Sequence, residues 1–431
     1  RDSSVTGVQT CALPILGGTC LNVGCIPSKS LLHASQLYAQ ARGGHLTRFG
    51  IILPEVGLDL DAMRAEKDKA VAELTGGIRG LFARNKVEHV QGRARLAGKG
   101  RVAVALAAGG ERVLAAKDIL IATGSEVSPL PGVAPDGDRI ITSTEALELT
   151  SVPERLVVLG AGFIGLEMGS IYARLGSTVT VLEMGDRIAP GLDEELAQAA
   201  QRLLSRQGLN IVTGTKLLSV LRPDSGGLLL DVGPVAGGQT ERIVADRLLL
   251  AAGQRPFTAG LGLEALGIVL DGRGRIPVDD AFRTKMPGLW AIGDVIDGPM
   301  LAHKAEEEGI ACADAIAGLT GFVDHSLIPA VMYTDPEVAS VGRGEEALKA
   351  DGVAYSAGKF PFAANSRAKA NRETDGFVKV LAAKADGRVL GVHIIGAMAG
   401  TMIAQATQAM VFGATAEDIA QIGRASCRER V

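Results

Sequence analysis

The sequence predicts an α/β protein built from parallel strand–helix units, with a separate C-terminal α+β domain. Three observations carry that expectation. A strand–turn–helix–strand run over 156–183 holds Gly160-Ala161-Gly162-Phe163-Ile164-Gly165 at its turn, the context a dinucleotide fingerprint demands. Short apolar strands at 117–121, 247–251 and 289–292 each run into a glycine-containing turn, at Gly124, Gly253 and Gly293. Beyond Asp324 the pattern changes to alternating strands with few long helices. The 431 residues, 47% hydrophobic with 56 glycines and 3% aromatics, suit a fold rich in tight turns. That length corresponds to about three domains of roughly 150 residues.

Taken in order, 28–41 carries Leu31, Leu32, Ser35 and Tyr38 at helical spacing, with Pro27 suited to its first turn. Met63, Val71, Leu74, Ile78 and Leu81 predict a second long helix over 60–85. Strands follow at 87–92 and 102–106, the latter continuing into a hairpin through 112–115, and then at 117–121. The next set is strand 156–159, helix 164–175, strand 178–183, helix 194–207, strand 210–214 and a hairpin over 217–232 around Ser225-Gly226-Gly227. The last stretch predicts strands at 339–341, 353–360, 377–381 and 389–395, with helices at 344–349 and 401–412.

A net charge of −4 without a basic cluster argues against nucleic acid. No apolar run reaches about 18 residues, so no membrane helix is expected. The start of the sequence lacks the basic-then-apolar pattern of a signal peptide. Five cysteines (11, 20, 25, 312 and 427) are too few for a disulfide scaffold in such a chain. The expected setting is cytoplasmic, and no metal site is expected.

Cys20 and Cys25 stand five apart in Gly-Gly-Thr-Cys-Leu-Asn-Val-Gly-Cys-Ile-Pro-Ser-Lys, residues 17–29. On an ideal helix that spacing means about 7.5 Å of rise, with side chains pointing apart. A disulfide needs Cα atoms within about 7 Å. Pairing therefore requires a bend, which Gly24 can supply. The same spacing also suits two small buried cysteines that never pair.

In the fingerprint, Gly160 and Gly162 allow the tight turn and close approach of a pyrophosphate, and Gly165 allows close helix–strand packing. Glu183 ends the next strand, 23 residues after Gly160. An acid there accepts ribose hydroxyls and repels a 2′-phosphate, which favours NAD over NADP.

The complete string at 17–29 closely resembles the redox-active segment of the flavin-dependent pyridine nucleotide–disulfide oxidoreductases, most of all their lipoyl-oxidising branch. The likeness runs from Leu16 to Ile422. It implies two nucleotide-binding Rossmann-like domains, with the FAD domain incomplete, plus a C-terminal dimerisation domain. The implied boundaries are 16–150 and 273–323 for FAD, 151–272 for NAD and 324–422 for dimerisation. Cys25 takes the position facing the flavin, as a charge-transfer thiolate, and Cys20 that of the interchange thiol. Lys29 matches a lysine beside the flavin, with Glu167 its ion-pair partner. Thr123, Gly124 and Ser125 match the crossing between the two nucleotide domains, and Gly253, which ends the strand 247–251, is a further cofactor-binding candidate. Asp294, in Leu-Trp-Ala-Ile-Gly-Asp-Val, matches the residue that binds the ribityl chain. Met300, Leu301, Ala302 and His303 match the helix start facing the flavin ring, and helix-start packing is an equal reading for His303. Tyr333-Thr334-Asp335-Pro336-Glu337 and the string at 360–368 resemble the dimerisation domain. His393, on an apolar strand, reads as structural.

The resemblance thus implies FAD and NAD as cofactors, lipoyl domains of 2-oxo acid dehydrogenase or glycine cleavage complexes as partners, and a homodimer. Two departures stand out. The family begins with a strand–GxGxxG–helix–strand unit of about 30 residues, whereas only 15 residues precede Leu16 here and contain no such pattern. Family members also carry a His–Glu pair near the C-terminus, and no histidine follows His393. Residues 1–15 and 423–431 abut family-like sequence abruptly and read as foreign tails. Alternatives to lipoyl oxidation are a reductase like the mercuric or glutathione enzymes, or a non-catalytic fragment that binds NAD alone.

Overall fold

The computed structural model describes residues 16–224 and 226–421, together with the backbone of Thr6–Gln9. The chain divides into two compact units.

One unit gathers 64–128 and 253–325 with the chain up to Ser30. Most of the 25-residue helix Leu60–Arg84 belongs to it. Strands Glu88–Leu96, Arg101–Leu106 and Glu111–Ala115 form the antiparallel meander that their alternation predicts, the first running four residues past the expected end. Thr6–Gln9 adds a parallel strand beside residues 88–91. It is the one part of the two segments read as foreign tails that lies within the described residues; the rest of 1–15, and all of 423–431, lies outside them, as does Ser225 of the 217–232 turn.

Ile119–Ile121 pairs in parallel with Leu289–Ala291. Ile121, Leu289, Ala291 and Val295 are buried with Leu261, Phe282, Cys312 and Ala315, so the helix Ala302–Ile316 closes over this pair. The Trp290 indole lies in the same cluster and donates to Asp118 Oδ1 at 3.0 Å, which satisfies its one polar atom.

The second unit gathers 31–63, 129–252 and 326 onward. Its first sheet is parallel, in the order Leu209–Val212, Thr178–Leu182, Arg155–Leu159, Arg247–Leu250, Ile140–Ile141. Alternation within a strand divides its side chains between two faces. Leu156 and Val158 face one core with helices Phe163–Leu175 and Glu194–Arg206. Val157 and Leu159 face another with Leu228, Leu230 and Val232. The expected 217–232 hairpin is a three-stranded sheet, because Glu241–Ala245 pairs along Leu228–Pro234.

The C-terminal sheet is antiparallel, in the order Ala330–Met332, Glu337–Gly342, Val389–Gly396, Phe377–Ala383, Tyr355–Pro361. Ala399–Val411 packs on one face through Ile403, Ala406 and Met410. Met332, Val338, Phe377 and Ile395 on the other face join the core of the parallel sheet. Among the described residues, no helix is long and apolar enough to cross a membrane.

Candidate active site

The cysteine pair is built by a break between two helices. Gly18–Val23 is a short helix, and Cys25–Arg42 begins directly after Gly24. Asn22 Nδ2 donates to the carbonyls of Leu16 at 3.0 Å and Gly18 at 2.9 Å, pinning the approach. Ser28 Oγ donates to the Cys25 carbonyl at 3.0 Å, and Ser28 N to that of Gly24 at 3.1 Å. A Cβ at Gly24 would lie 2.9 Å from the Thr19 carbonyl oxygen and 3.3 Å from Cys20 Cα, so the bend is tight enough to require glycine.

The bend brings the two cysteines together. Both are half-buried thiols, joined by a side-chain hydrogen bond. The Cys20 thiol is pushed well up, first by that bond, then by burial and by negative charge on Cys25. Charge on one sulfur opposes charge on the other, so the reduced pair does not carry two thiolates at once. Gly24→Ala is expected to spread the two helices and slow disulfide closure under oxidised glutathione several-fold. Free-thiol titration over time reads this, and closure at the unsubstituted rate would show that the bend does not set the pairing.

Across the same unit, the chain segments expected at the flavin converge. Ser125 Oγ donates to Asp294 Oδ2 at 2.5 Å. Thr123, buried, donates to the Phe257 carbonyl at 2.7 Å, and Phe257 N returns a bond to Gly124 at 2.9 Å. Gly253 accepts from Ser128 N at 3.1 Å. Burial pushes the Asp294 carboxyl up, against the opposing pull of the Ser125 bond and the Lys304 charge. Met300 and Leu301 lead into the helix Ala302–Ile316, whose first turn includes His303 and has no side-chain cap. A polar side chain and an uncapped helix start fit the ribityl and ring end of FAD. A second glycine fingerprint for its ADP half does not occur in the sequence.

The dinucleotide turn lies in the other unit. Gly160 has φ +106°, and a Cβ there would lie 2.4 Å from the Ala251 carbonyl oxygen. At Gly165 a Cβ would sit 2.0 Å from the Gly160 carbonyl oxygen, so the helix rests directly on the turn. Gly162 differs: nothing lies within 4 Å of its Cβ position. It starts the helix Phe163–Leu175 without a side-chain cap, which leaves open space before aligned N–H groups and fits a pyrophosphate. Glu183 accepts from Ala161 N at 2.8 Å through Oε2 and from Gly185 N at 2.7 Å through Oε1. A carboxylate has about four acceptor sites, so the ribose hydroxyls keep partners. The residues present fit NAD.

Lys29 lies near the start of the helix Cys25–Arg42. Glu167, 5% exposed, accepts from Tyr333 N at 2.9 Å. They belong to different units. His393 is buried, with Nδ1 2.7 Å from Ser340 Oγ and Nε2 3.1 Å from the Arg343 carbonyl, a structural setting. The role of the Ala161 amide in tying Glu183 to the turn escapes motif reading, since it is a backbone atom.

A cysteine pair poised for exchange and a dinucleotide turn together define a nucleotide-dependent disulfide oxidoreductase. The family profile described as "Pyridine nucleotide-disulphide oxidoreductase" matches residues 4–309, and that of its dimerisation domain matches 328–423. Dihydrolipoyl dehydrogenase 3 of Pseudomonas aeruginosa is 55% identical over 406 residues, covering 94% of this chain and 86% of the relative. The human mitochondrial dihydrolipoyl dehydrogenase is 51% identical over 408 residues, covering 94% and 80%. Among solved structures, LpdA of Mycobacterium tuberculosis superposes with a TM-score of 0.89 at 26% identity, covering 99% of this chain and 91% of that one. The chain belongs to the pyridine nucleotide–disulphide oxidoreductase family and, within it, to the dihydrolipoyl dehydrogenases.

Proposed function

We propose that this chain oxidises protein-bound dihydrolipoyl groups to lipoyl groups through Cys20 and Cys25, with NAD⁺ as final acceptor. The observation that supports this most is the contact of the two thiols across the Gly24 bend. With the pair closed as a disulfide, a substrate thiolate attacks the Cys20 sulfur, the Cys20–Cys25 bond breaks, and Cys25 leaves as thiolate. The second substrate thiol attacks the substrate sulfur of the mixed disulfide, and its proton passes to the departing Cys20 sulfur. The lipoyl disulfide forms, and Cys20 leaves carrying the remaining electron pair. FAD, when bound, supplies the two-electron relay between the cysteine pair and NAD⁺.

The chain's own residues bind and orient. Asp294, Ser125, Thr123, Gly124 and the 300–303 helix start hold the flavin end of FAD. Lys29 and Glu167 supply charges at the reacting centre. Gly160, Gly162, Gly165 and Glu183 hold NAD. The corresponding domains are 16–150 with 273–323 for FAD, 151–272 for NAD and 324–422 for dimerisation. The partners are lipoyl domains of 2-oxo acid dehydrogenase or glycine cleavage complexes, and a second copy of the chain. The match of residues 328–423 to the family's dimerisation domain supports the latter.

The test is NADH formation by the FAD-supplemented chain with dihydrolipoamide and NAD⁺. Cys20→Ser and Cys25→Ser are each expected to lower the rate about 1,000-fold or more, as for groups that act as a unit. Undiminished turnover by either variant, or preference for glutathione disulfide or mercuric ion, overturns the lipoyl reading. A chain that takes up NAD but neither FAD nor electrons is the non-catalytic fragment instead.

A further inference from the structure

The end of the strand Leu289–Ala291 leads into Gly293 and Asp294, and beneath that turn lies a buried charge cluster the proposed reaction does not use. Lys304 and Glu308, one helical turn apart on Ala302–Ile316, are both fully buried, with Nζ 3.0 Å from Oε1. Each also holds one side of the same residue. Glu308 Oε2 accepts from Gly293 N at 2.8 Å, and Lys304 Nζ donates to the Gly293 carbonyl at 3.0 Å. His325 Nε2 lies 2.6 Å from Glu308 Oε1, with its own side chain 42% exposed.

Two close approaches leave this turn no slack. Gly293 has φ +75°, and a Cβ on it would come within 3.3 Å of Ala305 Cβ; one on Gly298 would meet Lys304 Cε at 3.0 Å. A buried ion pair contributes little net stability over an apolar replacement, so packing alone gives no reason for this one. What it fixes is orientation, because both hydrogen-bonding groups of the residue before Asp294 are held by charged partners.

We infer that Lys304 and Glu308 are positioning residues that clamp Gly293 and thereby aim the Asp294 carboxylate at the polyol chain of the flavin cofactor. This rests on the reading above that Asp294 binds that chain. The clamp acts through Asp294 and touches no substrate. Losing one charge-assisted bond to Gly293 frees the turn, and Asp294 then samples orientations in which Ser125 no longer holds it toward the cofactor.

The test uses the full chain and its Glu308→Gln, Lys304→Met and Asp294→Asn variants. Two quantities are measured for each: amide hydrogen exchange over 289–301 without cofactor, and FAD affinity by quenching of flavin fluorescence. Lys304→Met and Glu308→Gln are expected to speed exchange at Gly293 and Asp294 and to weaken FAD about 10-fold, the size of one buried charge-assisted bond. Asp294→Asn is expected to weaken FAD while leaving exchange at Gly293 unchanged. Unchanged exchange in both clamp variants overturns the clamp. Faster exchange with undiminished FAD affinity overturns its positioning role. Unweakened FAD in Asp294→Asn, or no FAD uptake by the unsubstituted chain, overturns the reading of Asp294 instead.

Discussion

Gly165→Ala is expected to destabilise the protein by about 3 kcal/mol and to abolish NAD binding, whereas Gly162→Ala is expected to weaken NAD and leave stability intact. The two glycines lie three residues apart, yet their surroundings are opposite. A methyl group at Gly165 would sit 2.0 Å from the Gly160 carbonyl oxygen and 3.1 Å from Val158 Cγ1. Backbone cannot rotate away as a side chain tip can, so the helix Phe163–Leu175 must lift from its strand. Leu166 and Ile171, buried against the sheet, move with it. At Gly162 the methyl group meets nothing within 4 Å, and φ −79° suits alanine. That variant should melt within about 0.5 kcal/mol of the unsubstituted chain. The methyl group instead occupies the space before the helix N–H groups, and NAD affinity should fall about 10-fold, or about 1.4 kcal/mol. Thermal melts and NAD titrations of both variants separate the effects. Equal stability of Gly165→Ala and the unsubstituted chain would show that the helix does not rest on the turn.

Lys379→Met is expected to cost about 3–5 kcal/mol, the price of leaving a buried charge without its partner. Lys379 is 3% exposed, and its Nζ lies 2.9 and 3.1 Å from the oxygens of Asp193, 3.2 Å from Glu195 and 3.7 Å from Glu345. Asp193 caps the helix Glu194–Arg206 and accepts from Glu345 N at 3.1 Å. The site therefore joins the parallel-sheet and antiparallel-sheet parts of one unit. Burial raises the Asp193 carboxyl, but the Lys379 bond and the Glu345 amide outweigh it, aided by the His393 and Lys379 charges, and hold it below its ordinary 3.8. Its contribution is full above 3.8 and is lost as pH falls through the lower folded value. Burial likewise lowers Lys379, but Asp193, Glu195 and Glu345 outweigh it and raise it above its ordinary 10.5. Its contribution is full below 10.5 and is lost as pH rises through the higher folded value. The difference in melting temperature between Lys379→Met and the unsubstituted chain should be widest between pH 3.8 and 10.5 and narrow outside it. A difference flat across the whole range would rule out the ion pair as its source.

What could be read from the sequence was local. The glycines of 160–165 and the acid at 183 carry their geometry within one strand–helix–strand unit, and each sits where that pattern demands. The Cys20–Cys25 spacing left pairing open, and the contact came from Gly24 bending the chain between the helices Gly18–Val23 and Cys25–Arg42. The helix Ser143–Ala146 escaped, although Thr142 and Glu145 form a capping box that the Thr-Ser-Thr-Glu spelling advertises. Strand Ile140–Ile141 is too short for periodicity and exists because a parallel neighbour, Arg247–Leu250, recruits it. Thr6–Gln9 likewise gains its form from pairing, in a stretch whose composition carries no strand pattern. The Lys379–Asp193 contact spans 186 positions, and neither residue differs in sequence from an ordinary surface charge. Ser125 and Asp294, 169 positions apart, came together on paper only through resemblance to a family.

The Glu183 carboxylate has a consequence for how coenzyme choice can evolve in this scaffold. Its oxygens tether Ala161 and Gly185 through their amides, while its charge disfavours a phosphorylated ribose. Exchanging the acid for a basic or neutral side chain, the obvious route to NADP, removes the repulsion and unties the turn in one step. Selectivity and loop integrity are thus pleiotropic effects of a single residue. A switch of coenzyme must pass through a weakened intermediate unless a second substitution first takes over the amides, which makes the order of mutations, and not only their identity, a constraint on this lineage.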